Sequence, residues 1–396
     1  MILSVIIVNY QVRYFLELCL YSVEKAVRGL DAEIIVVDNH SNDGSLEYLR
    51  PRFPNISFLA NTVNKGFAGA NNQALEQASG QYILFLNPDT ILPEDIAVRC
   101  LSFLADTPRI GGLGVRMIDG GGHFLKESRR GFPTPWVGFC RLSGLSTLFP
   151  RSRHFAAYYL GHLPADKAHP APILSGACLW VSRAILEEIG SFDEQFFLYA
   201  EDIDLSFRIE QAGYTNYYFP SATIVHFKGE STRKDGRYVR QFYYAMRQFR
   251  RKHFKRGLPA FFDLGVQGAI RLRAGIAAVA GALRQITAPG RNGTGTAGTT
   301  NGNSVCTVLR GDNREARRVK SLLEASGKRR VVEEIGQGDE VLLCEGEDFS
   351  FRESIVGLEE LAKEGKEGRQ IKFHAGGSGS AVGSPDRNGQ GEVLIL

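Results

Sequence analysis

The sequence predicts an α/β fold with a mostly parallel sheet that helices cover on both faces. Short apolar runs alternate with segments of helical periodicity over residues 3–86. Strands that read as continuous apolar runs are typical of parallel sheets, because both faces of such sheets are buried. A second, smaller α/β unit is expected after a Gly-, Thr- and Asn-rich stretch whose composition is typical of a flexible linker.

The strands and helices follow from the spacing of apolar residues and from turn signals. In the first part of the chain, strands are predicted at residues 3–8, 33–37, 56–59 and 82–86, with helices ending at Gly29 and spanning 67–78. Further strands are predicted at 173–181 and 223–227, and a helix at 183–189. Residues 116–170 contain several prolines and glycines and predict an irregular segment where binding loops occur.

Composition limits the kind of protein that this chain can be. Its 396 residues favour more than one domain, and its net charge of +4 is too small for a nucleic-acid binder by bulk charge. Six scattered cysteines without a C-x-x-C pair indicate reduced, buried thiols, and so a cytoplasmic protein. We expect neither a signal peptide at the N-terminus nor a transmembrane helix, since no apolar run is long enough.

Changes in composition predict four parts of the chain. Residues 1–232 form the main α/β domain, 233–286 a basic and amphipathic helical segment, 287–304 the linker, and 305–396 the small α/β domain, whose role is open. Residues 233–257 contain ten Lys and Arg against one Asp, interleaved with aromatic residues. Such a segment suits an anionic membrane surface, and it equally suits helices that pack on the domain with a solvated basic face.

Acidic residues follow two of the predicted strands at the point where each strand ends. Asp38 begins an Asn- and Gly-rich turn after the second strand, and Asp89 follows the fourth strand in Asn87-Pro-Asp89. Ligands bind outside the carboxyl ends of parallel strands, so both turns are expected to open into one crevice. A Gly-rich stretch at 376–383 in the C-terminal part could cradle an anion or serve as a plain loop.

A second acidic group lies in residues 199–208, at the start of a predicted helix that ends at Gly213. Glu201, Asp202 and Asp204 occupy its first turn, where acids favour helix formation in any case. Asp204 and Arg208 are spaced to pair on one face, which indicates a structural role. Glu201 and Asp202 remain, and a carboxylate at this place can act as a general base.

Together these residues match the needs of a nucleotide-diphosphate sugar. Such a ligand needs polar groups for its base and ribose, a divalent cation for its diphosphate, and a base that activates the acceptor. In chain order the sequence offers Asp38, Asp43, Asn64, Lys65, Asp89 and Asp202, with His226 as a late addition. Asn64, Asn71 and His226 have structural interpretations as well, namely turn, cap and buried hydrogen-bonded residues.

Six motifs in order make residues 1 to about 255 similar to family 2 glycosyltransferases of the GT-A fold, particularly the bacterial rhamnosyltransferase-like branch. They are VIIVNY at 5–10, VDNHSNDG at 37–44, NKGFA at 64–68 with Asn71, LNPD at 86–89, SGA at 175–177 and EDIDLSFR at 201–208. The resemblance implies an inverting transfer from a nucleotide-activated sugar. The segment from about residue 303 onward lies outside it.

The resemblance also implies roles for single residues. Asp38 would contact the nucleotide base with Asp43 close by, Asp89 and His226 would hold a metal or the diphosphate, and Asp202 would be the general base. Asn64, Lys65 and Asn71 would belong to the donor site, and Glu201, Ser175 and Gly176 to the acceptor side. Asn87 replaces the first acid of the family's D-x-D motif, so it offers a carbonyl ligand to Mg²⁺ or Mn²⁺ without charge.

The expected function is therefore transfer of a sugar, with rhamnose as the first candidate, from a dTDP- or UDP-linked donor to a lipid-linked or polysaccharide acceptor. Such an enzyme would be cytoplasmic, or peripheral at the inner face of the membrane. A catalytically silent nucleotide-sugar-binding module is the first alternative. A sugar nucleotidyltransferase or a dinucleotide-dependent oxidoreductase is disfavoured, because no Gly-rich loop follows the first strand.

Overall fold

The computed structural model describes residues 1–229, 236–254, 305–327, 329–332, 339–363, 370–384 and 391–396. Contacts divide the chain into two compact units. The first holds Met1–Gly131, Pro164–Phe249 and Ser304–Leu396, and the second holds Phe132–Leu163 and Arg250–Asn303. The linker expected at 287–304 and the part of the basic segment from 255 to 286 lie outside the described residues. The four domain limits stay a prediction.

The strands before residue 230 belong to the first unit. They are β1 (Leu3–Asn9), β2 (Ala32–Asp38), β3 (Ser57–Ala60), β4 (Tyr82–Leu86), β5 (Thr90–Ile91), β6 (Ile110–Ile118), β7 (Arg129–Arg130), β8 (His169–Pro170), β9 (Ile173–Leu174), β10 (Cys178–Ser182) and β11 (Thr215–His226). The helices up to residue 254 are α1 (Arg13–Ala26), α2 (Ser45–Leu49), α3 (Gly66–Gln77), α4 (Ile96–Asp106), α5 (Pro135–Leu142), α6 (Leu145–Leu148), α7 (Arg183–Ile189), α8 (Glu201–Gln211) and α9 (Gly236–His253).

The main sheet confirms the predicted mostly parallel α/β architecture. Its strand order is β3-β2-β1-β4-β10-β6-β11-β5, and β8 pairs with β11. The pairs β1–β2, β1–β4, β2–β3 and β6–β11 are parallel, whereas β10 runs antiparallel to both of its neighbours. Because β10 enters the sheet where β4 leaves it, the residues just before β10 lie at the carboxyl edge of the parallel strands.

Two predicted strands have different limits in the structure. The strand expected at 173–181 is divided into β9 and β10, because Ser175-Gly176-Ala177 turns the chain between them. The strand expected at 223–227 is the end of the longer β11, whose pairing with β6 shifts register between Phe219 and Thr223. Such an irregularity interrupts the period-two pattern that identifies a strand in a sequence.

The core of the main sheet is continuous and apolar. Trp180 of β10 is fully buried, and it packs in one cluster with residues of β1, β4 and β6 such as Val5, Leu84 and Leu113. The helices α1 and α4 bring Leu16, Leu20, Ile96 and Cys100 into the same cluster. Removing this much apolar surface from water is the main term that stabilises the sheet.

The chain enters α8 through a strained backbone. Tyr199 and Ala200 have φ angles of 70° and 67°, a left-handed region that costs a residue with a Cβ atom about 1 kcal/mol or more. The helix then begins at Glu201, and its first intrahelical bond joins the N–H of Asp204 to the carbonyl of Ala200 at 2.8 Å. This entry fixes the direction in which the first helical side chains point.

Residues 132–163 were expected to be irregular, and they contain two short helices instead. The Thr134 hydroxyl accepts a hydrogen bond from the N–H of Val137 at 3.3 Å, and Pro135 occupies the first turn of α5. Proline is favoured there because its missing N–H would have no helical partner. Gly144, with φ of 82°, separates α5 from α6.

The C-terminal part forms a second sheet, as predicted. Its elements are β12 (Val305–Gly311), α10 (Asn313–Ala325), β13 (Arg329–Val332), β14 (Glu340–Cys344), α11 (Phe351–Lys363), β15 (Gln370–His374), β16 (Ser380–Gly383) and β17 (Glu392–Ile395). The strand order is β13-β12-β14-β15-β16-β17, with parallel pairing from β13 to β15. Part of the Gly-rich stretch at 376–383 is therefore a strand and not a loop.

This second sheet shares a core with the first. Phe373 of β15 and Leu358 of α11 pack in one buried cluster with Phe15 of α1 and Phe227, which follows β11. Polar contacts surround the cluster: the Ser380 hydroxyl donates to the fully buried Glu17 at 2.8 Å, and Lys25 pairs with Glu345. The Glu94 carboxylate also accepts hydrogen bonds from the N–H groups of Phe351 and Arg352 at 2.7 and 3.1 Å, which caps α11.

All six cysteines are free thiols, and all except Cys306 are buried. Within the described ranges, no helix is both long enough and apolar enough to cross a bilayer.

Candidate active site

The carboxyl edge of the parallel strands holds the first group of predicted residues. Asp38 ends β2 and is paired in register with Asn9 at the end of β1. The Asn9 side chain donates to Asp38 Oδ1 at 2.7 Å, and the N–H of Ser41 donates to Oδ2 at 3.0 Å. Asp38 is thus a buried carboxylate with a fixed orientation at the edge where a ligand is expected.

Asp43 makes local contacts that join two helices. Its Oδ2 accepts a hydrogen bond from the N–H of Arg13, the first residue of α1, at 3.0 Å. Its Oδ1 accepts from the N–H and the hydroxyl of Ser45, the first residue of α2, at 3.1 and 2.5 Å. Both oxygens therefore satisfy helix N-termini, and this arrangement explains why an acid stands here without any ligand.

The turn before α3 is organised by Asn39, a residue that the sequence did not single out. Its side-chain N–H₂ donates to Asn64 Oδ1 and to the Gly66 carbonyl at 2.9 and 3.1 Å. Its Oδ1 accepts from the N–H of Lys65 at 2.9 Å. Asn64 therefore lies beside the Asp38 turn, whereas the Lys65 ammonium lies on the surface and donates to Gln73 at 2.9 Å.

Asn71 lies in the second turn of α3. It is buried, and its side chain donates to the carbonyl of Phe67 at 2.9 Å. A bond to the carbonyl four residues earlier is a helix-internal contact. The donor-site role predicted for Asn71 stays a prediction.

Asn87, Asp89 and His226 come together although 139 residues separate the first from the last. His226 Nε2 lies 3.3 Å from Asn87 Nδ2 and 3.4 Å from Asp89 Oδ1, and both Asp89 and His226 are buried. The backbone fixes the arrangement, because β5 and β11 pair His226 with Thr90, and the N–H of Phe227 donates to the Asp89 carbonyl at 3.0 Å.

This trio fits a divalent cation as far as its donor atoms go. Asn87 Nδ2 lies 3.3 Å from His226 Nε2, so the Asn87 amide would have to turn its oxygen toward an ion in order to ligate it. Asp89 Oδ1 and His226 Nε2, which lie 3.4 Å apart, are atom types that bind divalent cations. Among the described residues no group of three His, Cys, Asp or Glu side chains could hold a metal, so an ion here would need ligands from a substrate.

Asp202 lies next to the turn before β10. Its Oδ2 accepts a hydrogen bond from the N–H of Gly176 at 3.1 Å, and a Cβ atom on Gly176 would lie 3.3 Å from the Asp202 side chain. The next residue, Ala177, accepts from the N–H of Asn87 at 3.0 Å. Asp202, Gly176 and Asn87 are therefore linked in series along one edge. Ser175 is half-buried beside them, and its hydroxyl accepts from the N–H of Ala177 at 3.3 Å.

Arg130 is the functional residue that sequence reasoning missed. Its guanidinium donates to Asp202 Oδ2 at 2.5 Å and to the carbonyl of Leu174 at 2.8 Å. The two-residue strand β7 places it there by pairing Arg130 with Ile173 of β9. The ion pair is mostly buried, so it orients the Asp202 carboxylate more firmly than a surface pair would.

Glu201 is buried beside Asp202, and its surroundings change its pKa. Burial, and after it the nearby Asp202 carboxylate, raise the pKa of Glu201 to about 8. Its Oε2 is buried and accepts no hydrogen bond within the described part of the chain. Near neutral pH a substantial fraction of Glu201 is thus the neutral acid.

Asp204 has the structural role that its spacing predicted. Arg208 Nε donates to Asp204 Oδ2 at 2.8 Å, and the same guanidinium donates to the carbonyls of Ile189, Gly190 and Ser191 at 2.9, 2.7 and 2.5 Å. Asp204 is fully buried. This pair ties α8 to the end of α7.

The Gly-rich turn of the C-terminal sheet is filled by the protein's own carboxylates. The N–H of Gly376 donates to Glu345 at 3.0 Å, and the N–H of Gly377 lies 3.4 Å from Glu315. Amide groups that could have cradled an external anion are thereby satisfied internally. The structure favours the alternative of a plain turn.

The same turn brings a serine, a histidine and an acid into line without making a nucleophile. Ser378 Oγ lies 3.0 Å from His374 Nδ1, and His374 Nε2 lies 2.7 Å from Glu315. However, His374 Nδ1 is also 2.8 Å from the carbonyl oxygen of Ser380, to which it must donate. It therefore has no lone pair to accept a proton from the serine.

Comparison with known proteins identifies relatives of this chain. A family model described as "Glycosyl transferase family 2" matches residues 4–190. The N-acetylglucosaminyl-diphospho-decaprenol L-rhamnosyltransferase of Mycobacterium tuberculosis is 30% identical over 246 residues, which cover 59% of this chain and 78% of that protein. The rhamnosyltransferase WbbL of Escherichia coli is 23% identical over 230 residues, which cover 53% of this chain and 80% of that protein.

Two further matches are of the same kind. The low-salt glycan biosynthesis hexosyltransferase Agl10 of Haloferax volcanii is 31% identical over 211 residues, 52% of this chain and 61% of that protein. A solved mannosyltransferase from Pyrobaculum calidifontis, in complex with GDP-Man and Mn²⁺, aligns with a TM-score of 0.46 and 21% identity over 72% of this chain and 76% of that one. That score is too low to support any inference. The sequence relatives and the family match show that this chain is a glycosyltransferase and belongs to glycosyl transferase family 2, in its rhamnosyltransferase-like branch.

Proposed function

We propose that the protein is an inverting glycosyltransferase that moves a sugar from a nucleotide-diphosphate donor to a hydroxyl group of a lipid-linked or polysaccharide acceptor, with Asp202 as the general base. One observation carries the proposal: the Asp202 carboxylate is bonded to the Gly176 turn, which is bonded in turn to Asn87 beside Asp89 and His226. A base and a place for a leaving diphosphate therefore occupy neighbouring positions on one sheet edge.

The donor's nucleotide is proposed to lie over the carboxyl ends of β1 and β2. Asp38 presents a fixed, buried carboxylate there, and the Asn39–Asn64 turn adjoins it. Carboxylate oxygens accept hydrogen bonds from base and ribose donors. Since two relatives carry the name rhamnosyltransferase, a dTDP- or UDP-linked sugar is the first donor to test, and rhamnose is the first sugar.

Asp89, Asn87 and His226 are proposed to hold a Mg²⁺ or Mn²⁺ ion together with the donor's diphosphate. Such an ion would neutralise the charge that develops on the leaving group. The three side chains offer a carboxylate, an amide carbonyl and an imidazole, and Asp89 Oδ1 lies 3.4 Å from His226 Nε2. The buried Asp89 carboxylate would be the charged ligand, because Asn87 contributes only a carbonyl dipole.

The chemical step needs one proton transfer and one displacement. Asp202 takes the proton of the acceptor hydroxyl while the acceptor oxygen forms a bond to the anomeric carbon. The bond between that carbon and the diphosphate oxygen breaks, and its electron pair leaves with the nucleoside diphosphate. Attack opposite to the leaving group inverts the anomeric centre. Arg130 and the Gly176 N–H keep the carboxylate oriented for this transfer.

The acceptor side is proposed to include Ser175, Gly176 and Glu201, which surround Asp202. The mycobacterial relative's name states a diphospho-decaprenol acceptor, so a lipid-linked acceptor is the first to test. Contact with an anionic membrane belongs to the same proposal. It is supported by the basic end of α9, where Arg250, Arg251, Lys252 and His253 follow one another.

The decisive experiment measures nucleotide release and product formation with a panel of dTDP- and UDP-sugars. Replacing Asp202 by Asn keeps the shape of the side chain but removes the base, so kcat should fall by about 10²–10⁴-fold. Asp106→Asn is the matched control, since this exposed acid lies at the end of α4 and should leave kcat unchanged.

A catalytically silent binding module would behave differently. It would bind UDP or dTDP in calorimetry, yet give no transfer with any donor, and Asp202→Asn would then change nothing. Nucleotide binding of equal strength with and without Mn²⁺ would count against the metal role of Asp89.

A further inference from the structure

The second unit exposes several large apolar side chains close together. Trp136, Phe139, Leu148 and Phe149 expose 51%, 54%, 73% and 51% of their surface. They lie on α5, on α6 and directly after α6. Exposed apolar residues on soluble proteins are usually scattered singly, whereas neighbouring ones mark an interaction surface.

Ring contacts show that these side chains form one surface. The Trp136 ring stacks on Phe139 with centroids 5.7 Å apart, and it lies 6.2 Å from Phe155. Phe155 is in turn 5.4 Å from Phe149. We call the five residues Trp136, Phe139, Leu148, Phe149 and Phe155 the aromatic face.

The aromatic face is one side of a folded element. On α5, Val137 and Cys140 are buried while Trp136 and Phe139, one position before each of them, are exposed. The indole N–H of Trp136 donates to the carbonyl of His154 at 3.2 Å, so the polar atom of the ring is satisfied within the segment. What the segment offers outward is therefore the apolar part of each ring.

The charge of the same segment restricts what can bind there. Residues 132–163 contain three arginines and two histidines, but no aspartate or glutamate. Arg151 and Arg153 are exposed between Phe149 and Phe155 in the chain. Arg141 is exposed too, and its guanidinium carbon lies 4.4 Å from the centre of the Tyr158 ring. A partner must accept both aromatic rings and uncompensated positive charge.

We propose that the aromatic face enters the headgroup region of an anionic lipid bilayer. Tryptophan and phenylalanine settle at the boundary between headgroups and acyl chains, and arginines attract acidic lipids. The inference deepens the membrane contact of the proposed function by naming the surface that makes it. The contacts that carry it do not depend on the donor, the acceptor or the base.

The two tryptophans allow a direct test. Trp180 is fully buried in the main sheet, so a change in emission on adding lipid reports on Trp136. With vesicles of phosphatidylglycerol and phosphatidylcholine, the emission should shift to the blue, and phosphatidylglycerol with brominated acyl chains should quench it. Vesicles of pure phosphatidylcholine should have a much smaller effect, because they lack the negative charge.

A variant with matched control measures the size of the effect. Replacing Trp136, Phe139 and Phe149 together by serine should weaken co-sedimentation with the anionic vesicles by at least about tenfold. The control variant has serine in place of Val98 and Val356. Both valines are exposed but lie in the first unit, so this variant should bind the vesicles like the parent. Donor-nucleotide binding by calorimetry should be equal in all three proteins. Failure of membrane binding can thus be told apart from failure of the enzymatic proposal.

Three results would overturn the inference. Sedimentation with vesicles without any change in Trp136 emission would assign binding to another surface. A blue shift that depends on protein concentration without lipid would assign the aromatic face to a second copy of the chain. Protection of Trp136 from acrylamide in the lipid-free protein at high dilution would mean that other residues of the same chain cover it.

Discussion

Glu201 and Asp202 are adjacent acids with different surroundings. Asp202 is paired with Arg130 and accepts the N–H of Gly176, whereas the Glu201 carboxyl group is buried next to that negative charge. A neutral Glu201 can donate a hydrogen bond where an ionised one would repel. A neutral Glu201 therefore lowers the negative charge that the three acids of the first turn would place at the start of α8.

The raised pKa of Glu201 makes stability depend on pH. An unfolded chain releases this proton near pH 4.5, and the folded one only near pH 8, so the folded state binds the extra proton in between. The free energy of unfolding should thus decrease as the pH rises through this window, by up to about 1 kcal/mol per pH unit. Glu201→Gln should remove this decrease and be the more stable protein at pH 8. Urea unfolding at pH 5, 6, 7 and 8 measures both.

The contribution of the neighbouring charge can be separated. Asp202→Asn removes the second cause of the shift, so it should reduce the pH dependence without abolishing it, because burial remains the larger cause. Parallel pH profiles for the parent and Glu201→Gln would contradict the assignment.

Single residues were predictable where their neighbours in the sequence define them. Asp38 and Asp89 directly follow apolar strands, and Asp202 begins a helix, so all three could be proposed as site residues. Arg130 could not, because its contact with Asp202 depends on the pairing of two two-residue strands 44 residues apart. No local pattern of polar and apolar residues encodes such a pair.

At the scale of elements, the position of α8 depends on the partly buried guanidinium of Arg208. Arg208 bonds Asp204 within the helix and three carbonyls at the end of α7. Since α8 carries Asp202 in its first turn, this link also holds the proposed base in place.

Arg208→Met should therefore lower the free energy of unfolding by about 3 kcal/mol, because it leaves the fully buried Asp204 carboxylate without its cation. Thermal and urea denaturation measure the change. Lys320→Met is the matched control: its pair with Glu324 has the same spacing but is half exposed, so its loss should be barely detectable. Equal losses in the two variants would show that burial does not determine the strength of these pairs.

Elements were predictable where one pattern runs uninterrupted. The helix predicted at 183–189 agrees with α7, and the strand predicted at 82–86 agrees with β4. Prediction of β9, β10 and β11 was inaccurate at the limits because a turn and a register shift interrupt their patterns. Helix α5 begins with the Thr134 cap and Pro135, whereas the proline content of this segment had suggested an irregular chain.

At the scale of the whole first unit, the two sheets are expected to unfold together. Phe373 of the second sheet lies edge-on to Phe227, with ring centroids 5.8 Å apart, and Phe227 directly follows the proposed metal ligand His226. Both rings are buried in the cluster that also includes Phe15 and Leu358.

Phe373→Ala should lower the free energy of unfolding by about 3–5 kcal/mol. Trp180 lies in the first sheet, so its emission reports on the unfolding of that sheet. The transition followed by this emission should be destabilised as well, because we expect the two sheets to unfold as one cooperative unit. Val356→Ala is the control. Val356 is exposed on α11, the helix that precedes β15, so this change should leave the transition unchanged. A Trp180 transition unaffected by Phe373→Ala would mean that the sheets unfold independently.

Composition alone could predict the C-terminal α/β domain but not its contacts with the rest of the first unit. The stretch at 287–304 has the residues of a linker, and apolar strands follow it, so a separate small domain was a reasonable expectation. The sequence pattern does not predict that α1 has an apolar outer face. Phe15 and Leu18 are equally compatible with positions that face the first sheet. Docking between distant parts of a chain leaves no periodic signal in either part.

The hydrogen bond from Ser380 to Glu17 has a consequence for the order of events during synthesis. It joins residues 363 positions apart, and the shared core spans a similar distance. A ribosome adds about 5–20 residues per second, so the outer face of α1 emerges many seconds before its partner strands exist. During that interval Phe15 and Leu18 lack the part of their native cover that α11 and β15 supply. We therefore expect the nascent chain to need chaperones most between the appearance of α1 and that of β15.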